Sequence, residues 1–276
     1  MKNDAIKMRM NMDIFKPIND EPAALIKVRE TGERLLMIAD LHIGIEYELR
    51  AAGLNIPSQT HVMEKRILDL CRQHKPDRII VIGDVKHTVP APPHQPRAYF
   101  WGEFMEIPKL LGSLEVPVDI CLGNHDGGLG EILEESRNVR IHPSSGFRIG
   151  NTGFFHGHAW PAQSVAEAPR IITAHAHPTM VFSDEFGHRY PMQCWVRSRM
   201  SEVGCRKYEV KNAAEVVMMP AFNPFCGGGA VNEKGLLGVL FDNEMAEKES
   251  AEIYLMDGTF VGKLGKTMLM QDKTTP

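Results

Sequence analysis

Five short apolar runs, each leading directly into Asp, Asn or His, are the feature that most limits the folds open to this chain. They are RLLMIAD (34–40), RIIVIGD (78–84), VDICLGN (118–124), FRIGNTGFFHGH (147–158) and RIITAHAH (170–177). Short runs of about four to six apolar residues rich in Ile and Val are typical of strands buried on both faces. Segments with helical spacing separate the first three runs. The alternation therefore predicts an α/β fold with largely parallel strands.

The segments between and after these runs predict the remaining elements. Residues 58–76 are expected to form a helix with Ser58 as N-cap, and residues 97–114 a helix kinked at Pro108. EVVMMP and GLLGVLFD are expected to be strands, and EIYLMDGTFVG a hairpin around Asp257-Gly258. We expect a surface loop at 89–96, an irregular or cap-like insert at 178–215 and a disordered tail at 268–276, all within one domain, 1–276.

Composition narrows the class of protein. The chain has 276 residues, enough for a sizeable core, and its net charge of −4 does not indicate a strongly basic nucleic-acid binder. The five cysteines form no CxxC pair, which favours reduced thiols over a disulfide framework. The polar N-terminus predicts no signal peptide, and no apolar run has the length of a membrane span. We therefore expect a cytoplasmic protein that does not enter a membrane.

The polar residues at the strand ends predict a metal site. Ligands of open α/β sheets bind beyond the carboxyl ends of the strands. The residues found there are Asp40, His42, Asp84, Asn124, His125, His156, His158, His175 and His177. Carboxylate oxygen, amide oxygen and imidazole nitrogen together suit Mn, Fe or Zn, and they exceed what one tetrahedral ion requires. Taken singly, most of these motifs are better explained by a turn or a packed histidine, and HAH fits a structural role and a metal site equally well, but their joint occurrence predicts a site that two divalent metal ions could share.

The order of these motifs resembles a known family. DLH (40–42), GD (83–84), GNHD (123–126), HGH (156–158) and AHAH (174–177) follow the pattern of the calcineurin-like metallophosphoesterases, with Ala174 where the family usually has Gly. GDVKH and MPAFNPFCGGGAV are similar to the ICC-like phosphoesterases, which include a DNA-ligase-associated group called PdeM. The resemblance implies a four-layer α/β/β/α sandwich in which two mixed β-sheets are flanked by helices.

The resemblance also implies roles for the residues. The implied metal ligands are Asp40, His42 and His177 for one ion, Asp84 as a bridge, and Asn124, His156 and His175 for the other. His125 would contact the phosphate and protonate the leaving oxygen, with Asp126 orienting its ring. His156 is favoured over His158 as ligand because it directly follows the strand.

Three further residues are candidates for substrate binding: His87, His158 and Arg197. For each of them an ordinary structural role is the alternative: loop packing for His87, bracing of the site for His158 and solvated surface for Arg197.

The implied activity is hydrolysis of a phosphodiester, in nucleic acid or a nucleotide, by in-line attack of a metal-bridging hydroxide. Two metal ions, most simply Mn with Fe or Zn as alternatives, would be the cofactors. A phosphomonoesterase is the enzymatic alternative, although Val85, Lys86 and His87 replace the continuation of GDxxDRG that is typical of protein phosphatases. A non-catalytic metal-binding interaction protein is the alternative of another class, and intact GNHD argues against it. DNA or RNA as substrate and a homodimer remain open.

Overall fold

The computed structural model describes residues 12–88 and 98–266, and it contains a first sheet of six strands in chain order. These strands are β1 Ile14–Pro17, β2 Ala24–Lys27, β3 Arg34–Ala39, β4 Arg78–Ile82, β5 Val118–Cys121 and β6 Val139–His142. β1, β2 and β3 pair antiparallel, and β3 to β6 pair parallel. The parallel strands β3, β4 and β5 are the first three predicted apolar runs, so they end at the same edge of the sheet.

Helices connect the parallel strands of this sheet. They are α1 Ile45–Ala51, α2 Thr60–His74, α3 Ala98–Gly112 and α4 Leu129–Ile132. Met63, Ile67 and Leu70 recur at helical spacing on the buried face of α2. The residue that precedes α2 is Gln59, so the prediction of Ser58 as N-cap is wrong by one position. The Ser58 hydroxyl still accepts the backbone N–H of Thr60 at 3.3 Å.

A second sheet of nine strands follows along the chain. Its strands are β7 Phe147–Ile149, β8 Thr152–Phe154, β9 Arg170–Thr173, β10 Pro178–Ser183, β11 Arg189–Arg199, β12 Glu215–Met218, β13 Gly229–Ala230, β14 Glu252–Leu255 and β15 Phe260–Lys263. The main order is β13-β10-β11-β12-β9-β8-β7, and β14 pairs with β11 and β15. Four short helices accompany it: α5 Gln163–Ala166, α6 Glu202–Lys207, α7 Val231–Lys234 and α8 Val239–Asp242. The sheet is mixed, because β12 pairs parallel with β9 and antiparallel with β11.

The two sheets pack face to face. One apolar cluster joins Met37 and Ile80 of the first sheet to Phe154, Ile172 and Val217 of the second. A second cluster covers the opposite face of the first sheet with side chains of α2 and α3, and a third covers the outer face of the second sheet. Helix, sheet, sheet and helix form successive layers, which confirms the predicted α/β/β/α sandwich. None of the helices in the described ranges combines the length and apolarity that a membrane span requires.

Two predicted segments have a different structure. Residues 178–215 are not irregular, because they contain β10, β11 and α6. β11 was not predicted as a strand because its sequence is rich in arginine. Arg197 and Arg199 are exposed and alternate with buried Val196 and Ser198, as on a half-exposed strand. GLLGVLFD is not a strand, since it ends in helix α8, where the Asp242 carboxylate accepts the N–H of Gly238 at 3.1 Å.

The other local predictions have mixed outcomes. The hairpin around Asp257-Gly258 is confirmed by the antiparallel pairing of β14 and β15, and EVVMMP does contain β12. Pro108 lies inside α3, as expected from the helical pattern. The loop 89–96 and the tail 268–276 lie outside the described residues. That the chain is a single domain stays a prediction.

Candidate metal centre

The candidate ligands lie in loops that leave the carboxyl ends of five strands. The backbone of these loops is strained. Several of the candidates have positive φ angles, which residues other than glycine rarely adopt. They are Asp40 (53°), His42 (40°), Asp84 (48°), His175 (70°) and His177 (42°). A residue with a Cβ in this region costs about 1–2 kcal/mol. Such strain persists where the surrounding structure holds it, and it is often found at functional sites.

One group of donors forms around the loop that follows β3. Ligand atoms of Asp40, His42, Asp84 and His177 all lie within 4.8 Å of one another. His42 Nε2 is 3.5 Å from Asp84 Oδ2 and 3.3 Å from His177 Nε2, and His177 Nε2 is 3.4 Å from Asp40 Oδ1. The two carboxylates and His42 are buried, and His177 is partly buried. The set is the one that the sequence predicted for the first metal ion.

A second group of donors shares Asp84 with the first. Ligand atoms of Asp84, His156 and His175 lie within 4.8 Å of one another. His156 Nε2 is 3.5 Å from Asp84 Oδ2 and 2.8 Å from Asp40 Oδ1. Asp84 therefore has a carboxylate oxygen within reach of both groups, which is the arrangement that a bridging carboxylate requires.

The charges of this cluster depend on one another. Burial acts to raise the pKa of Asp40, but the neighbouring His177 and His156 outweigh it and hold that pKa far below its usual range. Burial, together with the charge of Asp40, raises the pKa of Asp84. Burial acts to lower the pKa of His177, but the charge of Asp40 outweighs it and raises the pKa to about 9. A buried negative charge needs a neighbouring positive charge to stabilise it, and for these carboxylates a protonated histidine or a metal ion can supply that charge.

The donor set fits a catalytic metal site better than a structural one. Structural zinc sites are usually closed and rich in cysteine, whereas this cluster combines carboxylates with imidazoles. Asn124, the predicted amide ligand, follows β5 and is exposed, so its role as a ligand stays a prediction. Cys226 was not selected from the sequence, yet its thiol lies within 4.8 Å of ligand atoms of His42 and His177. Cys226 lies in the stretch MPAFNPFCGGGAV, which is the sequence feature that could have indicated it.

His125 packs against His42 of the first group, and its ring is held by a backbone carbonyl. Its Nδ1–H donates to the carbonyl of His87, and its backbone N–H donates to Asp84 Oδ1 at 2.9 Å. The ring packs edge-on against that of His42, with centroids 4.8 Å apart. Because Nδ1 is engaged, Nε2 is the ring nitrogen of His125 that is available to a ligand.

Asp126 does not orient His125, so the role that the resemblance implied for it is wrong. Its carboxylate accepts backbone N–H groups of Val85 (2.9 Å), Lys86 (3.3 Å) and Gly123 (2.8 Å). The side chain is buried, and a buried carboxylate satisfies its hydrogen-bonding capacity with the nearest donors, which are these amides. Asp126 therefore ties the loop after β4 to the loop after β5.

Of the three candidates for substrate binding, two lie at the cluster. His158 Nδ1 is 3.0 Å from His156 Nδ1, and burial together with His156 lowers the pKa of His158 to about 4. The group around Asp84 includes His156 and not His158. His87 lies against His42, with 3.1 Å between their Nδ1 atoms.

Arg197 lies elsewhere, so its assignment to the substrate at the metal site is wrong. Its guanidinium pairs with Glu215, which also binds Arg170 at 2.7 Å. These residues line a separate cleft of about 860 Å³ that none of the metal candidates lines. The reason is topological: Arg170 and Glu215 are the first residues of β9 and β12, whereas the metal candidates follow the last residues of their strands.

The fold and the donor groups define a candidate metal site at the strand ends, and comparison with known proteins gives the family. The model of the calcineurin-like phosphoesterases matches residues 33–212, so the chain belongs to this family and is a hydrolase acting on ester bonds. The crystal structure of the Pseudomonas putida nuclease MPE is similar, with a TM-score of 0.48 and 19% identity, covering 88% of this chain and 98% of that one. Yfce, a phosphoesterase from E. coli, has a TM-score of 0.38 and 13% identity, covering 83% and 97%. No curated protein matches the chain in sequence.

Proposed function

We propose that this protein hydrolyses phosphodiester bonds with two divalent metal ions that share the carboxylate of Asp84. The observation that carries the proposal is the membership of Asp84 in both donor groups, one with Asp40, His42 and His177 and the other with His156 and His175. Asn124 would complete the second group with an uncharged oxygen. A neutral ligand leaves the pair of ions more positive, which favours an anionic phosphate.

The donors suit Mn²⁺ in the first place, with Fe and Zn as alternatives. When bound, such a pair of ions lowers the pKa of water to near neutrality and offsets negative charge on a phosphate. The protein contributes fixed positions: the ligands lie on strained loops beyond rigid strands, and the carboxylates are buried. Little reorganisation is then needed when the ions bind.

His125 is the proposed acid for the leaving oxygen. Its Nδ1–H is committed to the carbonyl of His87, so in the protonated ring Nε2–H is the group that can be donated. Histidine suits this task because its ordinary pKa lies near neutrality. The contact between the backbone of His125 and Asp84 keeps the acid beside the proposed bridging ligand.

A diester is the favoured substrate class. The likeness of GDVKH and MPAFNPFCGGGAV to the ICC-like group supports it, and the departure from GDxxDRG after Asp84 argues against a phosphoprotein phosphatase. Nucleic acids and cyclic nucleotides both contain phosphodiester bonds that such a site can accept. The net charge of −4 provides no general attraction for DNA or RNA, so a nucleic-acid substrate would have to be held locally.

One parallel assay tests this proposal. Protein reconstituted with Mn²⁺ is incubated with bis-p-nitrophenyl phosphate, p-nitrophenyl phosphate, a cyclic nucleotide and single-stranded DNA, with Asp84→Asn as control. Hydrolysis of the diesters that exceeds hydrolysis of the monoester, and that is lost in Asp84→Asn, supports the proposal. Preference for the monoester would establish the alternative activity. Failure to hydrolyse any of them with two bound ions would favour a non-catalytic binding protein.

A further inference from the structure

His87 contacts three other side chains or groups of the site at once. Its Nε2 lies 2.6 Å from Glu48 Oε2, and its Nδ1 lies 3.1 Å from Nδ1 of His42. Its backbone carbonyl accepts the Nδ1–H of His125. His87 is thus connected by its ring to a metal ligand and by its main chain to the proposed acid.

The backbone places His87 in this position. The loops after β3 and β4 continue to pair beyond the sheet: the N–H of His42 donates to the carbonyl of Asp84 at 2.8 Å, and the N–H of His87 donates to the carbonyl of Ile43 at 2.9 Å. This pairing sets the ring of His87 5.2 Å from that of His42, centroid to centroid. On its other side the ring stacks on His125, at 5.6 Å and 22°.

The hydrogen bonds fix the tautomers of both rings. A carboxylate can only accept, so Nε2 of His87 carries the hydrogen that is donated to Glu48. In the neutral ring Nδ1 of His87 is then an acceptor, and it receives the Nδ1–H of His42. His42 is left with an unprotonated Nε2, the nitrogen that lies 3.5 Å from Asp84 Oδ2. This is the tautomer of His42 that binds a metal ion through Nε2.

We propose that His87, held by Glu48, is a positioning residue that fixes His42 for metal binding through its ring and His125 for proton donation through its carbonyl. The inference rests on the proposed function and goes beyond it by assigning Glu48 and His87 a part in the affinity of the first metal site. It also replaces the expectation that His87 binds substrate, because both of its ring nitrogens are already engaged.

The proposal predicts different effects for the ring of His87, which contacts His42, and for its backbone carbonyl, which contacts His125. His87→Phe removes both ring contacts but retains the carbonyl, so His42 loses its partner while His125 keeps its own. Partners of this kind typically change metal affinity about 10–100-fold. We expect His87→Phe to weaken Mn²⁺ binding at one of the two sites by at least about tenfold, and Glu48→Ala, which leaves His87 without its carboxylate, to weaken it less.

The test is isothermal titration calorimetry, in which the metal-free protein is titrated with Mn²⁺ alone. Asp69→Asn is the matched control, since Asp69 is an exposed carboxylate that pairs with Arg72 on α2. A loss at one site in His87→Phe and a smaller loss in Glu48→Ala, with none in Asp69→Asn, supports the proposal. Unchanged affinity in both variants would overturn it while leaving the proposed function intact. A loss in His87→Phe alone would overturn the part assigned to Glu48.

Two outcomes are separated in advance. If the unsubstituted protein binds no Mn²⁺, the titration is repeated with Zn²⁺ and Fe²⁺, and failure to bind any of these ions means that the proposed function fails. If His87→Phe does not fold, as judged by circular dichroism, Glu48→Ala decides the question, because Glu48 is exposed and its truncation leaves no cavity. Equal Mn²⁺ affinity in Glu48→Ala and the unsubstituted protein would then overturn the proposal.

Discussion

Gly123 lies directly against the carboxylate of Asp84. A Cβ added at Gly123 would come within 2.1 Å of Asp84 Oδ1 and 2.4 Å of the Asp84 backbone nitrogen. No real Cβ tolerates such distances, so a side chain at this position must displace the carboxylate that both donor groups share. The glycine of GNHD is therefore required because a side chain has no space there, and not only because the chain turns.

Gly123→Ala is accordingly expected to lose metal and activity together. We predict less than two Mn²⁺ per chain by elemental analysis after gel filtration and a fall in phosphodiester hydrolysis of at least about tenfold, since a shift of about 1 Å in a catalytic group can cost 10²-fold. Gly130→Ala is the matched control, because a Cβ there meets nothing within 4 Å. Full occupancy in Gly123→Ala would show that Asp84 does not need its present position.

His125→Ala is expected to separate chemistry from metal binding. His125 is proposed as the acid and not as a ligand, so the variant should retain about two ions per chain while the hydrolysis rate falls about 10²–10⁴-fold. His61→Ala, which changes an exposed histidine on α2, provides the control. Activity of the unsubstituted protein in His125→Ala would remove the assigned role.

Asp126→Asn is expected to act on stability. The carboxylate accepts backbone N–H groups from two loops, and an amide replaces one acceptor oxygen with a donor that faces those same groups. Leaving buried groups unsatisfied costs about 1–3 kcal/mol, which is the expected loss in the free energy of unfolding measured with urea. If Asp126 instead oriented His125, the variant would keep its stability and lose activity.

Asp119 provides a prediction about pH that is independent of the metal site. Its carboxylate pairs with Arg78 at 2.6 Å and His142 at 2.5 Å. Burial acts to raise the pKa of Asp119, but the hydrogen bonds from His142 and Arg78 outweigh it, so the pKa lies below its usual value. A group with a lowered folded-state pKa stabilises the protein above its unfolded pKa, near 3.9, and loses that contribution as the pH falls through the folded value.

We therefore expect Asp119→Asn to reduce the free energy of unfolding by about 1–3 kcal/mol at pH 7. The difference from the unsubstituted protein should begin to shrink below about pH 4, where Asp119 of the unfolded chain becomes protonated, and should disappear as the pH falls through the lower folded-state pKa. Urea denaturation of the metal-free proteins at pH 7, 5 and 3.5 measures it. A difference that does not shrink between pH 5 and pH 3.5 would contradict the assigned pairing.

The parts of the fold that could be predicted from sequence are those specified locally. β3, β4 and β5 are largely apolar, parallel strands of one sheet, so the residues that follow them meet at one edge. β9 is a similar run in the second sheet, and packing of the two sheets brings the residues that follow it to the same place. The candidate ligands could therefore be proposed as one group without knowledge of the strand pairing. β11 could not be found in this way, since its exposed arginines are acceptable only once β12 and β14 pair with it.

Roles that depend on a particular neighbour were the least predictable. Asp126 follows His125 directly, yet its partners are the amides of Val85, Lys86 and Gly123. Glu48 belongs to no motif and reaches the site only because α1 follows the loop of His42. Arg197 lies on the second sheet, which also carries His156, His175 and His177, but it pairs with Glu215 at the opposite end of that sheet from the metal candidates. The homodimer and the cytoplasmic location stay predictions.

The central claim is that Asp84 is shared by two metal ions, and anomalous diffraction from crystals of the Mn²⁺-loaded protein tests it most directly. The account predicts two anomalous peaks, one beside Asp40, His42 and His177 and the other beside His156 and His175, with Asp84 in contact with both. A single peak, or two peaks of which only one contacts Asp84, would contradict it.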